Sequence, residues 1–504
     1  MTKKILILLF LCVTSALHAD NYLTFTAEAD SSSFGIHSEG DNKPDVQYSL
    51  DGGKTWTKLT NDTLIPLPNK KKALLRGYNP QGISRDFGED THFVMTGRIA
   101  ASGSIMSLID GNDESLVIPG KLCFRGLFKK CTCLTEAPQL PATTLARDCY
   151  VEMFCGCTNL KQAPQLPATT LADGCYFGMF YGCTRLTQAP QLPATKLAYC
   201  CYGSMFDGCT SLKQAPQLPA TQLTDRCYSQ MFGGCTSLTK APQLPATQLT
   251  KNCYTNMFSW CTNLTQAPEL PATQLADGCY LGMFSGCTSL TQAPQLPATS
   301  LAGGCYEWMF SDCTNLTQAP ELPATQLADG CYFGMFHGCT SLTQAPQLPA
   351  TTLTKWCYSW MFEGCTSLKQ APQLPATSLA ESCYEWMFSD CTNLTQAPKL
   401  PATTLAKRCY SWMFGGCTSL TKAPKLPAKA LARECYDNMF TSCTSLSEIK
   451  VEFLSWHTKS EWDGSDTFNW LFNVAPNGKF ICPKGLPKEV GESRMPKGWK
   501  VIKN

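Results

Sequence analysis

The chain has 504 residues, 44% of them hydrophobic, and its 41 basic and 39 acidic side chains leave a formal net charge of +2. That length and hydrophobic content allow several packed domains and exclude a disordered chain. The near balance of charge offers no field that would gather nucleic acid or an anionic membrane, so neither is expected as a partner.

Residues 1–19 read as a secretory signal peptide. Lys3 and Lys4 open it, Ile5 to Val13 form a short apolar run, and Ala16 to Ala19 supply small residues for cleavage after Ala19. A lipidated alternative at Cys12 lacks the small residues that should precede such a cysteine. No later apolar stretch approaches the roughly 20 residues that cross a bilayer. The mature chain is therefore expected to be secreted, with no transmembrane segment, and to reside at the cell surface or outside the cell.

Residues 20–99 show strand-like alternation at Tyr22 to Phe25, Val46 to Leu50 and Ala73 to Arg76, separated by turn clusters, which predicts a small β-sandwich module. Within it Ser49, Asp51, Gly53, Thr55 and Trp56 spell the S-x-D-x-G-x-T-W pattern of an Asp box. Sialidase-like propellers repeat that pattern in every blade, whereas here it occurs once. It is read first as a hairpin turn and second as a glycan-binding element.

Residues 100–453 are dominated by a repeat. One cysteine series falls at 123, 149, 175, 201 and onward to 435, a second at 131, 157, 183, 209 and onward to 443, both with a period of 26, which gives thirteen units. The stretch 262–313 closely matches 314–365, the mark of a duplicated two-unit block. In the unit Thr288 to Cys313, the residues Ala302, Cys305, Tyr306, Met309, Phe310 and Cys313 recur at steps of three and four. This spacing predicts an α-helix with one buried stripe. Thr299 or Ser300 would cap its start, and Asp312, or Gly286, Gly338 and Gly364 in other copies, would end it. The other half, LTQAPQLP, buries Leu290 and Leu296 and carries two prolines, so it predicts a short extended segment. In the closing copy Leu446, Ile449, Val451 and Phe453 replace the proline pattern with plain strand chemistry. One unit buries too few side chains to offset the ordering of its own backbone, so the units must stack. Helices pack farther apart than extended segments do, which predicts an α+β solenoid curved into an arc, extended segments inside and helices outside.

The first unit is degenerate, with Phe124 and Leu127 in place of the usual Tyr and Met, as a cap would be. Residues 454–504 are rich in Trp, Gly and Pro, including Trp456, Trp462, Trp470 and Trp499, and predict a C-terminal cap.

The segment MFSGCTSLTQAPQLP at 283–297 carries an aromatic-Gly-Cys turn followed by Leu-x-x-apolar-x-apolar-Pro. In this the unit resembles the bacterial BspA-like, or treponemal-type, leucine-rich repeat, over about 330 residues. It departs from that pattern by about three extra residues, by Ala-Pro-Gln-Leu at the paired strand positions, and by a second cysteine eight residues upstream. The resemblance implies a surface protein that mediates adhesion or protein binding to host or bacterial partners. Capture of glycans at the surface is the alternative.

The cysteine columns admit three readings: buried thiols, inter-unit disulfides such as Cys313 to Cys331, or metal ligands. Cys305 and Cys313 would lie about 12 Å apart on a helix, too far to bond, and like positions on successive helices would also be too distant. Buried thiols acting as small apolar residues are the preferred reading. Cys131 with Cys133 and Cys155 with Cys157 are close pairs without further ligands nearby, so no metal or other cofactor is expected. His37, His92, His337 and His457 sit in unrelated contexts, and no nucleophile, base and orienting group come together, so no enzyme is expected. The Leu-Pro-Ala-Thr of each unit lacks the Gly and the membrane tail of a sortase signal. The candidate binding residues are Trp308, Trp360, Trp386 and Trp412, which share one repeat position where other copies carry Glu152, Gly178, Ser204, Gln230 or Asn256. A position tolerating such different residues is expected to be exposed and suited to stacking on sugars or anchoring a protein. Packing of these rings between neighbouring units is the other reading. The opposite face presents Gln295, Glu321, Gln347, Gln373 and Lys399, a polar column with little charge.

Overall fold

A computed structural model describes residues 21–504 apart from 41, 85, 87–90, 112–114 and 457–465. The expected signal segment, His457 and Trp462 lie outside the described residues.

Among the described residues the N-terminal part holds eight strands: β1 (Leu23–Ala27), β2 (Ser33–Ser38), β3 (Gln47–Ser49), β4 (Thr57–Lys58), β5 (Ile65–Pro66), β6 (Lys72–Arg76), β7 (Thr91–Thr96) and β8 (Ile99–Ser102). They form a sheet of order β4-β3-β6-β1-β8 and a second of order β5-β2-β7. Phe25 of β1 meets Phe34 of β2 at 5.5 Å and Phe93 of β7 at 5.0 Å, so apolar alternation on both sheets closes one core. The first sheet does not stop there. β8 spans the boundary expected at residues 99 and 100, and it pairs in parallel with β9 (Leu134–Glu136), inside the first repeat.

The repeats stack as predicted, but their helices are absent. Among the described residues the only helical element is a 3-10 turn at Ile105–Leu108. The stretch expected to be helical is a chain of overlapping turns in which every fourth residue has positive φ, at Gly304 (55°), Trp308 (52°) and Asp312 (57°). Its backbone donors alternate. Cys305, Glu307, Met309, Ser311 and Cys313 donate back to the carbonyls of Ala302, Gly304, Tyr306, Trp308 and Phe310. Tyr306, Trp308, Phe310 and Asp312 donate across to Cys331, Phe333, Met335 and His337 of the next unit. An α-helix would keep all these bonds within one unit. Here half of them tie the units together.

This corrects the expected fold class: no helices lie outside, and the reason for an arc goes with them. Like positions on the turn side sit close together, with stacked Phe rings 5.3 to 5.8 Å apart and stacked Tyr rings 5.7 to 6.0 Å apart. That is near the roughly 4.8 Å of neighbouring strands, so the two sides no longer differ enough to demand strong curvature. The extended side is held by single parallel bridges such as Gln292 with Gln318 and Ser300 with Gln326. Prolines 294 and 297 cannot donate, so no longer strand forms there. Where they vanish in the last unit, β10 (Glu448–Lys450) appears.

Both ends are closed by further rungs. Phe93 donates its N–H to the carbonyl of Leu127 and packs at a tilt 5.2 Å from Phe128, so the N-terminal module supplies a rung before the first unit. At the other end Tyr436, Asn438, Phe440 and Ser442 donate to the carbonyls of Asp466, Phe468, Trp470 and Phe472. β11 (Lys479–Cys482) and β12 (Lys500–Lys503) then continue the parallel pairing from β10. Trp456, Trp470 and Phe480 cover the last apolar surface.

A candidate interaction face on the turn side

Each interior rung is built on the same buried set, exemplified by Cys305, Tyr306, Met309, Phe310, Cys313, Leu316, Leu322 and Ala324, all 3% exposed or less. Around this constant core the turns present the residues next to those pairs. There the units differ. Ahead of the first cysteine stand Asp277 and Gly278, Lys355 and Trp356, Glu381 and Ser382, or Lys407 and Arg408, and between Tyr and Met stand Leu281 and Gly282, Glu307 and Trp308, or Ser359 and Trp360. Copies that agree at almost every core position thus diverge on one side of the stack.

The turns display aromatic rings. Trp360, Trp386 and Trp412 occupy consecutive rungs and stack at 4.9 Å and 4.3 Å, the second pair nearly parallel at 6°. All are half-buried, and each takes a neighbour's face, so the column shows mainly ring edges to solvent. Trp308 stands apart, its ring 6.5 Å from that of Trp360. The rung between them carries Gly334, where a Cβ would fall 2.4 Å from Cε3 of Trp308, so the indole lies over the space a side chain would take. Of the four predicted residues, three therefore form one continuous stack and the fourth joins it through Gly334 and His337. They are less exposed than the variability of their position implies, because a ring above another ring is covered by it.

His337 links the rings to an acidic edge. Its Nε2 lies 2.5 Å from Glu363 Oε2 and its Nδ1 3.9 Å from Asp312 Oδ1. Its ring packs edge-on to Trp308 at 5.2 Å. The Glu363 hydrogen bond pushes the imidazole pKa up, partial burial opposes it, and the charges of Glu363 and Asp312 add to the rise. On the other flank Lys355 and Lys407 both reach Glu381, at 3.3 Å and 3.5 Å, and Arg408 meets Glu385 at 2.7 Å. The aromatic strip thus runs between two charged margins.

Sequence reasoning missed the other exposed rings here: Trp260 (57% exposed), Tyr199, Tyr181, Trp356, and Phe468 and Phe472 of the closing rung. Each stands singly at a variable turn position, so no column marks it. For the four within the repeats the available signal was that each falls between the two cysteine columns or just ahead of the first.

The remaining candidates resolve into structure. Asp51 accepts from Ser49 Oγ (2.7 Å), Thr55 N (3.0 Å) and Thr55 Oγ1 (2.7 Å), and Trp56 donates to Gly53 O at 3.1 Å. Those bonds, Thr55 foremost, hold the Asp51 carboxyl well below the usual range. The Asp box is here the turn between β3 and β4, its carboxylate engaged within itself. His37 and His92 pair across β2 and β7, with His37 Nδ1 2.6 Å from Asp62. The cysteines of both columns are free and buried. With like rings on successive rungs only 5.3 to 6.0 Å apart, the helical separation expected between successive cysteines does not exist. Among the described residues no cluster of three or more His, Cys, Asp or Glu side chains could hold a metal ion, and no helix is long and apolar enough to cross a membrane.

The family model of the BspA-type leucine-rich repeat region matches the chain in overlapping copies that run from residue 125 to residue 457. A search of curated proteins finds no match.

Proposed function

Because the chain belongs to the BspA-type leucine-rich repeat family, a type of repeat associated with protein binding, we propose that it is an exported, non-enzymatic cell-surface protein that adheres to protein partners on host or bacterial surfaces through its turn face. The observation that carries this reading is the contrast between rungs alike in their cores and unlike on that face. A scaffold alone would need no such variety. The side chains displayed there, Trp, Tyr, Phe and Arg inside a charged margin, are those that dominate protein interfaces. Trp308, Trp360, Trp386 and Trp412 form the centre of the proposed contact. Many rungs engaging together would add weak contacts into avidity.

The test uses the full mature chain displayed on a cell that does not otherwise adhere. Attachment to immobilised extracellular-matrix proteins and to partner bacteria is compared with that of a Trp360→Ser, Trp386→Ser, Trp412→Ser variant of unchanged circular dichroism. We expect at least a tenfold loss of attachment. Full attachment by that variant would remove the turn face from the reading, and no attachment by the parent chain would remove adhesion.

A further inference from the structure

The opposite side of the stack has a different character. Clefts open at the same unit positions along it: about 640 Å³ between Lys240 and Pro297, about 710 Å³ between Thr187 and Pro216, and about 410 Å³ between Thr135 and Pro164. Their floors are the half-buried Ala and Pro of each unit, as at Ala293 and Pro294. Their walls are exposed glutamines, Gln292 on one side and Gln295 on the other. The backbone of Gln292 bridges in register to that of Gln318 on the next rung, so the glutamines recur at one position along the stack. We propose that this groove binds a neutral, linear polysaccharide lying along the solenoid axis, one sugar residue to a rung.

Three features point to that class of ligand. The first is uniformity: the wall reads Gln266, Gln292, Gln318, Gln344, Gln370 and Gln396 over six consecutive rungs. One wall of identical side chains matches a polymer of identical units, whereas a polypeptide would bring a different side chain to each rung. The second is charge. The second wall reads Glu269, Gln295, Glu321, Gln347, Gln373 and Lys399 over the same six rungs, its charges of both signs and never on adjacent rungs, so a polyanion gains nothing there. The third is hydrogen-bonding chemistry. A carboxamide offers two donors and an acceptor, which suits the mixed donor and acceptor demand of neighbouring hydroxyls, and the floor of Ala and Pro provides C–H surface for a ring. The rung repeat, near the ~4.8 Å of paired strands, is comparable with the advance per pyranose residue in an extended chain.

This site lies away from the Trp column, so it stands or falls separately from the adhesion reading. The test is affinity electrophoresis of the full mature chain in gels containing dextran, amylose, galactomannan or hydroxyethylcellulose, with alginate as the charged control. We expect retardation by at least one neutral polymer and none by alginate. Oligomers of the retarding polymer should compete more strongly as they lengthen. A Gln188→Leu, Gln214→Leu, Gln266→Leu, Gln292→Leu variant, altered only at exposed side chains that line the two larger clefts, should lose retardation at least tenfold, while the triple Trp variant should migrate as the parent does. Retardation by no neutral polymer, or retardation unchanged in the Gln variant, overturns the proposal.

Discussion

The thiol of Cys313 donates to the carbonyl oxygen of Phe284, 29 residues earlier, at 3.1 Å. The same bond recurs rung after rung, as from Cys287 to Phe258 and from Cys339 to Phe310, and it opens with Cys131 to Phe93 in the N-terminal module. The position therefore asks for a small apolar group that can donate once, which a thiol supplies and an alanine does not. Thirty free cysteines lie among the described residues, and of these only Cys155 and Cys200 are more than marginally exposed. A thiol reagent added to native protein should modify those two first, and slowly, because partial burial raises both thiols. In denaturant all thirty should react. Rapid native labelling of many more would mean that the columns are open to solvent, and a shortfall after denaturation would reveal disulfides.

Alkaline pH should unfold the protein steeply. Burial pushes the thiols of Cys253, Cys261 and Cys279 up to about 12, against about 8.5 for a free thiol. A raised folded value means that the stabilising contribution is complete below the unfolded pKa and is lost as pH rises through the folded one. The buried phenols of the Tyr column, raised well above their ordinary value by the same desolvation, act in the same direction. Thermal unfolding followed from pH 7 to pH 12 should show Tm nearly flat up to pH 8 and falling sharply beyond pH 9. Tyrosinate absorbance should rise only together with unfolding. Smooth ionisation of the column Tyr residues in folded protein would contradict the packing.

The stacking and most of its buried residues were legible in the sequence, because a 26-residue period with apolar pairs leaves few other ways to bury them. The conformation of the turn half was not. Cys305 and Tyr306, then Met309 and Phe310, then Cys313 recur with a period of four, and over nine residues that cannot be told from the 3.6 of a helix. The distinguishing signal lay in the exposed residues. Gly174, Gly178 and Gly182 stand four apart, as do Gly330, Gly334 and Gly338. Glycine at every turn is unfavourable in a helix and natural where φ is positive. The Trp column was visible as a column, but its partial burial depends on rung spacing, which the assumed helices had nearly doubled. The closing rung escaped notice because its offset from the preceding unit is 31 residues, as from Glu448 to Lys479, and breaks the period.

Two of those glycines provide an internal control. Gly330 and Gly334 both have positive φ, at 61° and 60°. A Cβ at Gly330 would meet nothing within 4 Å, whereas one at Gly334 would meet the Trp308 ring at 2.4 Å. Gly330→Ala should therefore cost only the backbone term, about 1 kcal/mol. Gly334→Ala adds overpacking and should cost roughly 2 to 3 kcal/mol, with a red shift of tryptophan emission as Trp308 is displaced. Equal destabilisation by the two, measured by urea denaturation, would show that Trp308 does not lie over Gly334.

His337 should report pH through the indoles beside it. Its folded pKa is raised, chiefly by the Glu363 hydrogen bond, so its contribution is complete below the unfolded value of about 6.5 and fades as pH climbs through the folded value. Its side chain is 27% exposed, so the effect is discounted for solvent to about 0.5 to 1 kcal/mol. The stability difference between the parent chain and His337→Gln should be largest near pH 6 and shrink as the pH rises above the unfolded value of about 6.5. Emission from Trp308 and Trp360, quenched by the protonated ring, should titrate over the same range and lose that transition in the variant. A pH-independent difference would assign His337 a packing role alone.

The C-terminal cap yields a prediction about how far damage travels. Trp470 is fully buried, stacks 6.2 Å from Tyr436, and through its carbonyl satisfies the N–H of Phe440. Trp470→Ala removes a large side chain from the end of the apolar column, a change that costs about 3 to 5 kcal/mol in a well-packed core. In a globular domain that loss would be shared by the whole cooperative unit. In a stack each rung contacts only its neighbours, and stability is a sum of local terms. Hydrogen exchange should therefore show lost protection at the N–H groups of Tyr436, Asn438, Phe440 and Ser442, with the effect fading over the next rungs toward Tyr410 and Tyr384. Rungs around Tyr202 and Tyr228 should exchange as in the parent chain. Uniform loss of protection along the chain would mean that the rungs fold as one indivisible unit, and the nearest-neighbour description of this solenoid would have to be abandoned.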